Sequence, residues 1–173
     1  VNNEAGALRL HAPPSAGPVR CVFPGSFNPV HGGHREMAAY AEVRLGLVPE
    51  YELSVVNVDK PTIPAAVAWD RARQFAADER VLLSRAPTFL LKAALFPGAV
   101  FLVGVDTIER VGDTRYYEGE AGLRAALDEI ASRECSFLVF GRRSGDGPFL
   151  TLEEVPLPDA LRALCQGVSE EQY

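Results

Sequence analysis

Short apolar runs alternate with helical stretches along most of the chain. The runs predict five buried strands, at 19–23, 52–58, 80–84, 99–104 and 136–140. Between and after them, apolar residues recur every three or four positions, a spacing typical of helices. The helical stretches cover 33–45, 65–77, 89–96, 122–131 and 159–165. Alternation of this kind is typical of a parallel sheet covered by helices.

The order of elements therefore predicts an α/β fold. We expect a Rossmann-like, doubly wound parallel sheet of five strands in the order 3-2-1-4-5, within three α/β/α layers. Residues 1–18 mix Pro, Gly, Ala and polar residues with no sustained period. They are predicted to be a linker or N-terminal arm. The domain itself would span residues 19–173.

Composition narrows the class of protein. The chain has 173 residues, and its 23 acidic against 17 basic side chains give a net charge of −6. Proteins that bind nucleic acids broadly usually carry an excess of Lys and Arg, so no nucleic-acid partner is expected. The longest apolar stretch, 93–105, is shorter than the roughly 20 residues that a membrane helix needs. No membrane partner is expected either.

The three cysteines are odd in number, far apart and without paired spacing. Such cysteines are typical of reduced thiols, so we expect a cytoplasmic location or another reducing compartment. The spacing also gives no indication of a zinc site.

The turn after the first strand has an unusual composition. Gly25 and the pair Gly32-Gly33 lack side chains, which lets a phosphate approach the backbone closely. The helix that follows offers unpaired amides and a positive dipole end. His31 and His34 are three residues apart and would share one face of its first turn, where they suit a polyphosphate.

Two other interpretations of the same residues remain open. The histidines can be ordinary surface residues, or part of a metal site with Glu36. Metal binding is disfavoured, because apart from Glu36 no third ligand with suitable spacing is near.

A resemblance adds to this chemistry. The pattern Gly25-x-Phe27-x-Pro29-x-His31-x-x-His34 resembles the G-x-F-x-P-x-H-x-x-H signature of the HxGH nucleotidyltransferase superfamily. The Asn28-Pro29 pair is similar to the branch of nicotinamide or nicotinate mononucleotide adenylyltransferases. Further family-like segments follow in order, at 57–61, 71, 87–89, 104–107 and 137–142. The resemblance covers residues 19–173, and it extends to a subgroup in which this domain follows a CinA-like domain.

The resemblance implies an enzyme of NAD biosynthesis. Such an enzyme transfers an adenylyl group from ATP to nicotinamide or nicotinate mononucleotide and releases pyrophosphate, without a covalent enzyme intermediate. Mg²⁺ is expected to travel with ATP. An additional domain would precede residue 1, and the oligomeric state stays open.

Two alternatives to this function are retained. One is a nucleotidyltransferase with another phosphorylated acceptor, such as phosphopantetheine or an alcohol phosphate. The other is a non-catalytic nucleotide-binding module of a larger assembly. The second is retained because the family's final I-S-S-T-x-x-R segment is not found before Tyr173, so we expect a chain truncated before that motif.

The resemblance also implies site residues. His31 and His34 would be catalytic. ATP would be bound by Gly25, Ser26, Phe27, His31, His34, Gly104, Asp106 and Arg142. The acceptor would be bound by Lys60, Arg71, Thr88, Phe89, Tyr116 and Tyr117.

Several of these residues have structural alternatives. Asp106 followed by Glu109 is a capping-box pattern for a short helix. A tyrosine pair such as Tyr116-Tyr117 can stack on a nicotinamide ring, or can form the wall of a core. Lys60 and Arg71 can equally be solvated surface charges.

Overall fold

The computed structural model describes residues 6–11, 17–58, 61–143 and 147–169, which form an α/β fold around a mostly parallel central sheet. The strands are β1 (Ala7–His11), β2 (Cys21–Pro24), β3 (Glu50–Ser54), β4 (Arg80–Ser84), β5 (Val100–Gly104), β6 (Ser136–Phe140), β7 (Arg142–Arg143), β8 (Phe149–Leu150) and β9 (Cys165–Val168). The helices are α1 (Gly32–Leu45), α2 (Ala65–Ala72), α3 (Phe89–Leu95), α4 (Val105–Val111), α5 (Gly119–Ser132) and α6 (Asp159–Arg162).

Seven of the described strands form the central sheet, in the order β1-β4-β3-β2-β5-β6-β9. All neighbours are parallel except β1, which runs antiparallel to β4. From β2 the chain proceeds to β3 and β4 on one side, and it then crosses to β5 on the other side of β2. The strand order therefore reverses between β2 and β5, which is where open α/β sheets bind ligands.

The α/β fold with a mostly parallel sheet that the sequence predicts is confirmed, and the five predicted strands, β2 to β6, lie side by side at its centre. The predicted five-stranded sheet was wrong in its extent, because two further strands extend the sheet at its edges. Strand β1 lies in the segment predicted as an arm, and it pairs along the open side of β4. Strand β9 begins at Cys165, where the last helix was predicted to end; that helix stops at Arg162. The two remaining strands, β7 and β8, form a separate antiparallel hairpin.

Burial on both faces of the sheet explains the apolar runs. Phe101 and Val103 of β5 belong to a cluster that includes residues of α3, α4 and α5, whereas Leu102 belongs to a second cluster with residues of α1 and α2. A strand covered on both sides needs apolar residues at consecutive positions, as is typical of parallel sheets. Helices thus cover both faces of the sheet, and the loops lie at the two ends of the strands.

Candidate nucleotide-binding site

The loop predicted to carry the chemistry lies at the reversal of strand order. It leaves β2 at the carboxyl edge of the sheet and enters α1. The amide of Gly25 still donates to the carbonyl of Glu52 at 3.0 Å, so the loop is tied to β3 where it begins. The segments after β5 and β6 start at the same edge, because these strands are parallel neighbours of β2.

Phe27 anchors this loop in the core. Its side chain is 2% exposed, and its ring contacts His34, Tyr51 and Phe75 edge-on, with centroids 5.1–5.4 Å apart. A Cβ atom on Gly25 would lie 2.6 Å from the tip of that ring, so residue 25 must lack a side chain. Phe27 was expected to line the ATP loop. Its backbone does belong to the loop, at φ +41°, but its side chain is a core residue.

His31 and His34 lie together at the N-terminus of α1. Their rings are stacked, with centroids 3.7 Å apart and planes inclined by 28°. The backbone N–H of His31 donates to Nδ1 of His34 at 3.2 Å. Since Nδ1 accepts, a neutral His34 carries its proton on Nε2, an assignment that rests on the hydrogen-bond network.

His34 is thereby suited to donate without carrying a charge. Burial, with His31 and Arg35 nearby, lowers the pKa of His34 from its ordinary value of 6.5. At neutral pH its Nε2–H is therefore a neutral donor beside the positive end of a helix dipole.

A cavity adjoins the loop on the β3 side. It has a volume of about 330 Å³, near the lower end for small-molecule sites, and it is lined by Ser26, Asn28, Asn57, Pro61, Ile63 and Arg71. The loop contributes two of these residues, the segment after β3 three, and α2 one. Lys60, predicted to bind the acceptor, lies outside the described residues.

Arg71 occupies the wall of this cavity with unused donor capacity. One terminal guanidinium nitrogen donates to the carbonyl of Ser26 at 3.1 Å. Its Nε atom is buried and has no hydrogen-bond partner among the described residues. Buried donors are nearly always paired, so an unpaired one calls for a partner such as a ligand or a water molecule.

Asp106 and Arg142 are brought together at the same edge. They form an ion pair between the first turn of α4 and the residue that opens β7. Their side chains are 46% and 64% exposed, and ion pairs this solvated contribute little stability. The predicted capping box was wrong: Gly104 is the N-cap of α4, so Asp106 lies inside the helix.

Thr88 and Phe89 have structural partners in this fold. The Thr88 hydroxyl accepts a hydrogen bond from the Leu91 amide at 3.3 Å and so caps α3. The Phe89 ring packs edge-on against Phe101 and Phe137 in the core, with centroids 5.4 and 5.3 Å apart. Neither is among the residues that line the cavity.

The two tyrosines differ from one another. The Tyr117 hydroxyl donates to the carbonyl of Val111 at 3.0 Å, and its ring packs against the core. Tyr116 lies in a 3-10 turn with 36% of its surface exposed. Neither lines the cavity, so stacking on a nicotinamide ring stays a prediction for both.

Sequence reasoning missed a buried ionic cluster beneath this edge. Lys92 Nζ donates to both carboxylate oxygens of Glu52, at 2.7 and 2.8 Å, and to the carbonyl of Ala86 at 2.7 Å. The hydroxyl of Ser84 also donates to Glu52. The available signal was a lysine inside the apolar helix Phe89–Leu95. Sequence reasoning also missed Gln74, whose side-chain amide hydrogen-bonds to the loop backbone and which no sequence pattern distinguishes.

Comparisons with known proteins do not assign this chain to a family. The chain matches no family model, and the search of curated proteins gave no match. Over the described ranges, no group of three or more His, Cys, Asp or Glu side chains is placed to hold a metal ion. Within the same ranges, no helix combines the length and apolarity needed to cross a membrane. A function must therefore be argued from the site.

Proposed function

We propose that this chain is a Rossmann-like nucleotidyltransferase domain of the HxGH type. It transfers the adenylyl group of ATP to nicotinamide or nicotinate mononucleotide. The observation that carries the proposal is the stacked pair of His31 and His34, at the N-terminus of α1 and at the reversal of strand order. Helix N-termini at such positions are common sites for phosphates.

The proposed reaction is a direct displacement at phosphorus. A phosphate oxygen of the mononucleotide attacks the α-phosphorus of ATP and forms a new P–O–P linkage. The bond between the α-phosphorus and the bridging oxygen breaks, and pyrophosphate leaves with the electron pair. Because no covalent enzyme intermediate forms, the protein has to align the two phosphates and stabilise their charge.

Groups at the loop and at the neighbouring strand ends would stabilise the charge of the triphosphate. His34 donates its Nε2–H to an oxygen of the triphosphate, and the free amides in the first turn of α1 add further donors. Arg142 exchanges the exposed carboxylate of Asp106 for phosphate oxygens. Mg²⁺ would arrive on ATP and offset part of the triphosphate charge; no described residue is assigned to it.

The cavity beside Arg71 supports an anionic acceptor. Its polar lining comes from Ser26, Asn28 and Asn57, and the guanidinium group of Arg71 adds a positive charge. Charged donors bind phosphate oxygens more strongly than neutral ones do. A mononucleotide phosphate fits this chemistry, as would the phosphate of another acceptor.

The decisive experiment follows the label of ATP into product. The chain is incubated with Mg²⁺ and ATP labelled at the α- or the γ-phosphate, and separately with each of nicotinamide mononucleotide, nicotinate mononucleotide and phosphopantetheine. We expect the α-label in a dinucleotide and the γ-label in pyrophosphate. CTP in place of ATP tests the choice of nucleotide.

Variants of the histidines connect the activity to the site. His34→Ala removes one donor to developing charge, so kcat should fall by about 100-fold or more. Arg44→Ala, on an exposed residue in the last turn of the same helix, is the control and should leave kcat unchanged. Product from phosphopantetheine alone would replace the pyridine acceptor. ATP binding without any product would indicate a non-catalytic module, and absence of ATP binding would refute the proposal.

A further inference from the structure

The side-chain amide of Gln74 bridges the two sides of the loop tip. Gln74 follows α2, and its Nε2 donates to the carbonyl of Phe27 at 3.1 Å. Its Oε1 accepts from the amide of Val30, also at 3.1 Å. The residues between these contacts are Asn28 and Pro29, joined by a cis peptide bond. One amide thus ties down both ends of the turn that leads to His31.

Gln74 is itself held against α1 and α2. Its Nε2 also donates to the carbonyl of Arg71 at 3.2 Å, and its own carbonyl accepts from Arg35 at 3.4 Å. Arg35 immediately follows His34, and it makes a two-pronged contact with Glu79 at 2.8 and 3.2 Å. The backbone of Gln74 therefore sits at a fixed distance from the helix turn that carries the histidines.

The chemistry of the amide matches this position. The contacts with the loop need one donor, for Phe27, and one acceptor, for Val30, and a glutamine amide supplies both. A glutamate of nearly the same shape keeps the acceptor but loses the donor. A methionine keeps the volume and loses both.

We propose that Gln74 is a positioning residue for adenylyl transfer, an inference that rests on the function proposed above. By fixing the loop from Phe27 to Val30, it places the amide of His31 against Nδ1 of His34. That contact selects the His34 tautomer whose proton is on Nε2. Loss of the amide loosens the turn and lets His34 exchange between tautomers.

The test compares Gln74→Met and Gln74→Glu with the parent chain. Gln166→Met, on an exposed residue of edge strand β9, is the matched control. A displacement of about 1 Å can cost on the order of 100-fold in rate, so we expect kcat per folded molecule to fall at least tenfold in both variants and to stay unchanged in the control. A purely structural role would lower the melting temperature and leave kcat per folded molecule intact.

A second readout does not depend on catalysis. Nitrogen-15 NMR of the imidazole rings in the ligand-free chain reports the tautomer of His34 directly, after assignment with His34→Ala. We expect a single Nε2–H tautomer in the parent and averaged ring shifts in both Gln74 variants. An unchanged His34 spectrum in Gln74→Glu would overturn the inference, and so would unchanged kcat in both variants of an active chain.

The two readouts separate the possible failures. If the parent forms no product with any acceptor, the proposed function fails, and the imidazole spectra alone decide whether Gln74 positions the histidines. If Gln74→Met does not fold, Gln74→Glu decides, because it retains the acceptor for Val30.

Discussion

Replacing Lys92 by Met removes the cation of a buried ion pair. The side chains of Lys92 and Glu52 are 5% and 0% exposed, and Lys92 makes three hydrogen bonds of 2.7–2.8 Å. The Lys92→Met substitution leaves the Glu52 carboxylate in the core without its cation. Breaking a buried pair from one side costs about 3–5 kcal/mol. For a chain of this size we expect the melting temperature to fall by roughly 6–20 °C.

The chain contains a matched control for this substitution. Arg124 and Asp128 form an ion pair one helical turn apart, at 3.3 Å, with side chains 69% and 66% exposed. Arg124→Met should change the free energy of unfolding by no more than about 0.5 kcal/mol, since solvated helix pairs contribute that little. The contrast isolates the effect of burial.

A double variant tests the physical cause. Lys92→Met combined with Glu52→Leu removes both charges, and replacing a buried pair by apolar residues is often close to neutral. The double variant should therefore recover at least half of the stability lost by Lys92→Met alone. Urea unfolding followed by circular dichroism measures all three. A loss below about 1 kcal/mol in Lys92→Met, or a double variant that is no more stable than it, would refute the reasoning.

Three further predictions concern the loop and its surroundings. Gly25→Ala should destabilise the chain by about 1–3 kcal/mol, because the added methyl group clashes with the Phe27 ring. Gly32→Ala should be nearly neutral, because a Cβ atom added there has no neighbouring atom within 4 Å. Urea unfolding of both variants measures the difference. His34 should titrate by NMR with a midpoint below 6.5, because its pKa is lowered in the fold. Acidification through that pKa should therefore lower the free energy of unfolding, and His34→Ala should lose that part of the pH dependence; a midpoint above 6.5 contradicts both statements. Tyr116→Ala should raise the acceptor's KM by up to about 100-fold at an unchanged ATP KM if the ring stacks on the acceptor, whereas Tyr117→Phe should change neither.

The sequence predicted the centre of the sheet well because its signal is local. Strands buried on both faces need continuous apolar residues, so runs such as 80–84 and 136–140 coincide with β4 and β6. The edge strands carry no such signal. Strand β1 is partly exposed to solvent. Its Arg9 forms an ion pair with Glu50, which lies 41 residues away in the sequence. Interactions of that range leave no periodic pattern along the chain.

The site was predictable in its backbone and less so in its side chains. Glycines and histidines at fixed spacing located the loop and the pair at α1. The same pattern did not reveal that Phe27 belongs to the core, because a buried aromatic and a ligand-facing one are identical in sequence. Gln74 was missed for a related reason: a glutamine that bonds backbone groups 44 and 47 residues away shows neither charge nor period.

The burial of Phe27 has a consequence for motion. A loop whose second residue after Gly25 contributes a ring to the core cannot swing open without exposing that ring to water. Exposing a phenylalanine costs about 1.5–3 kcal/mol from solvation alone, before its aromatic contacts are counted. The loop is therefore a rigid part of the site. Any closure around the proposed ligand has to come from segments that are less deeply buried, such as the hairpin of β7 and β8, whose exposed Arg142 forms an ion pair with the first turn of α4.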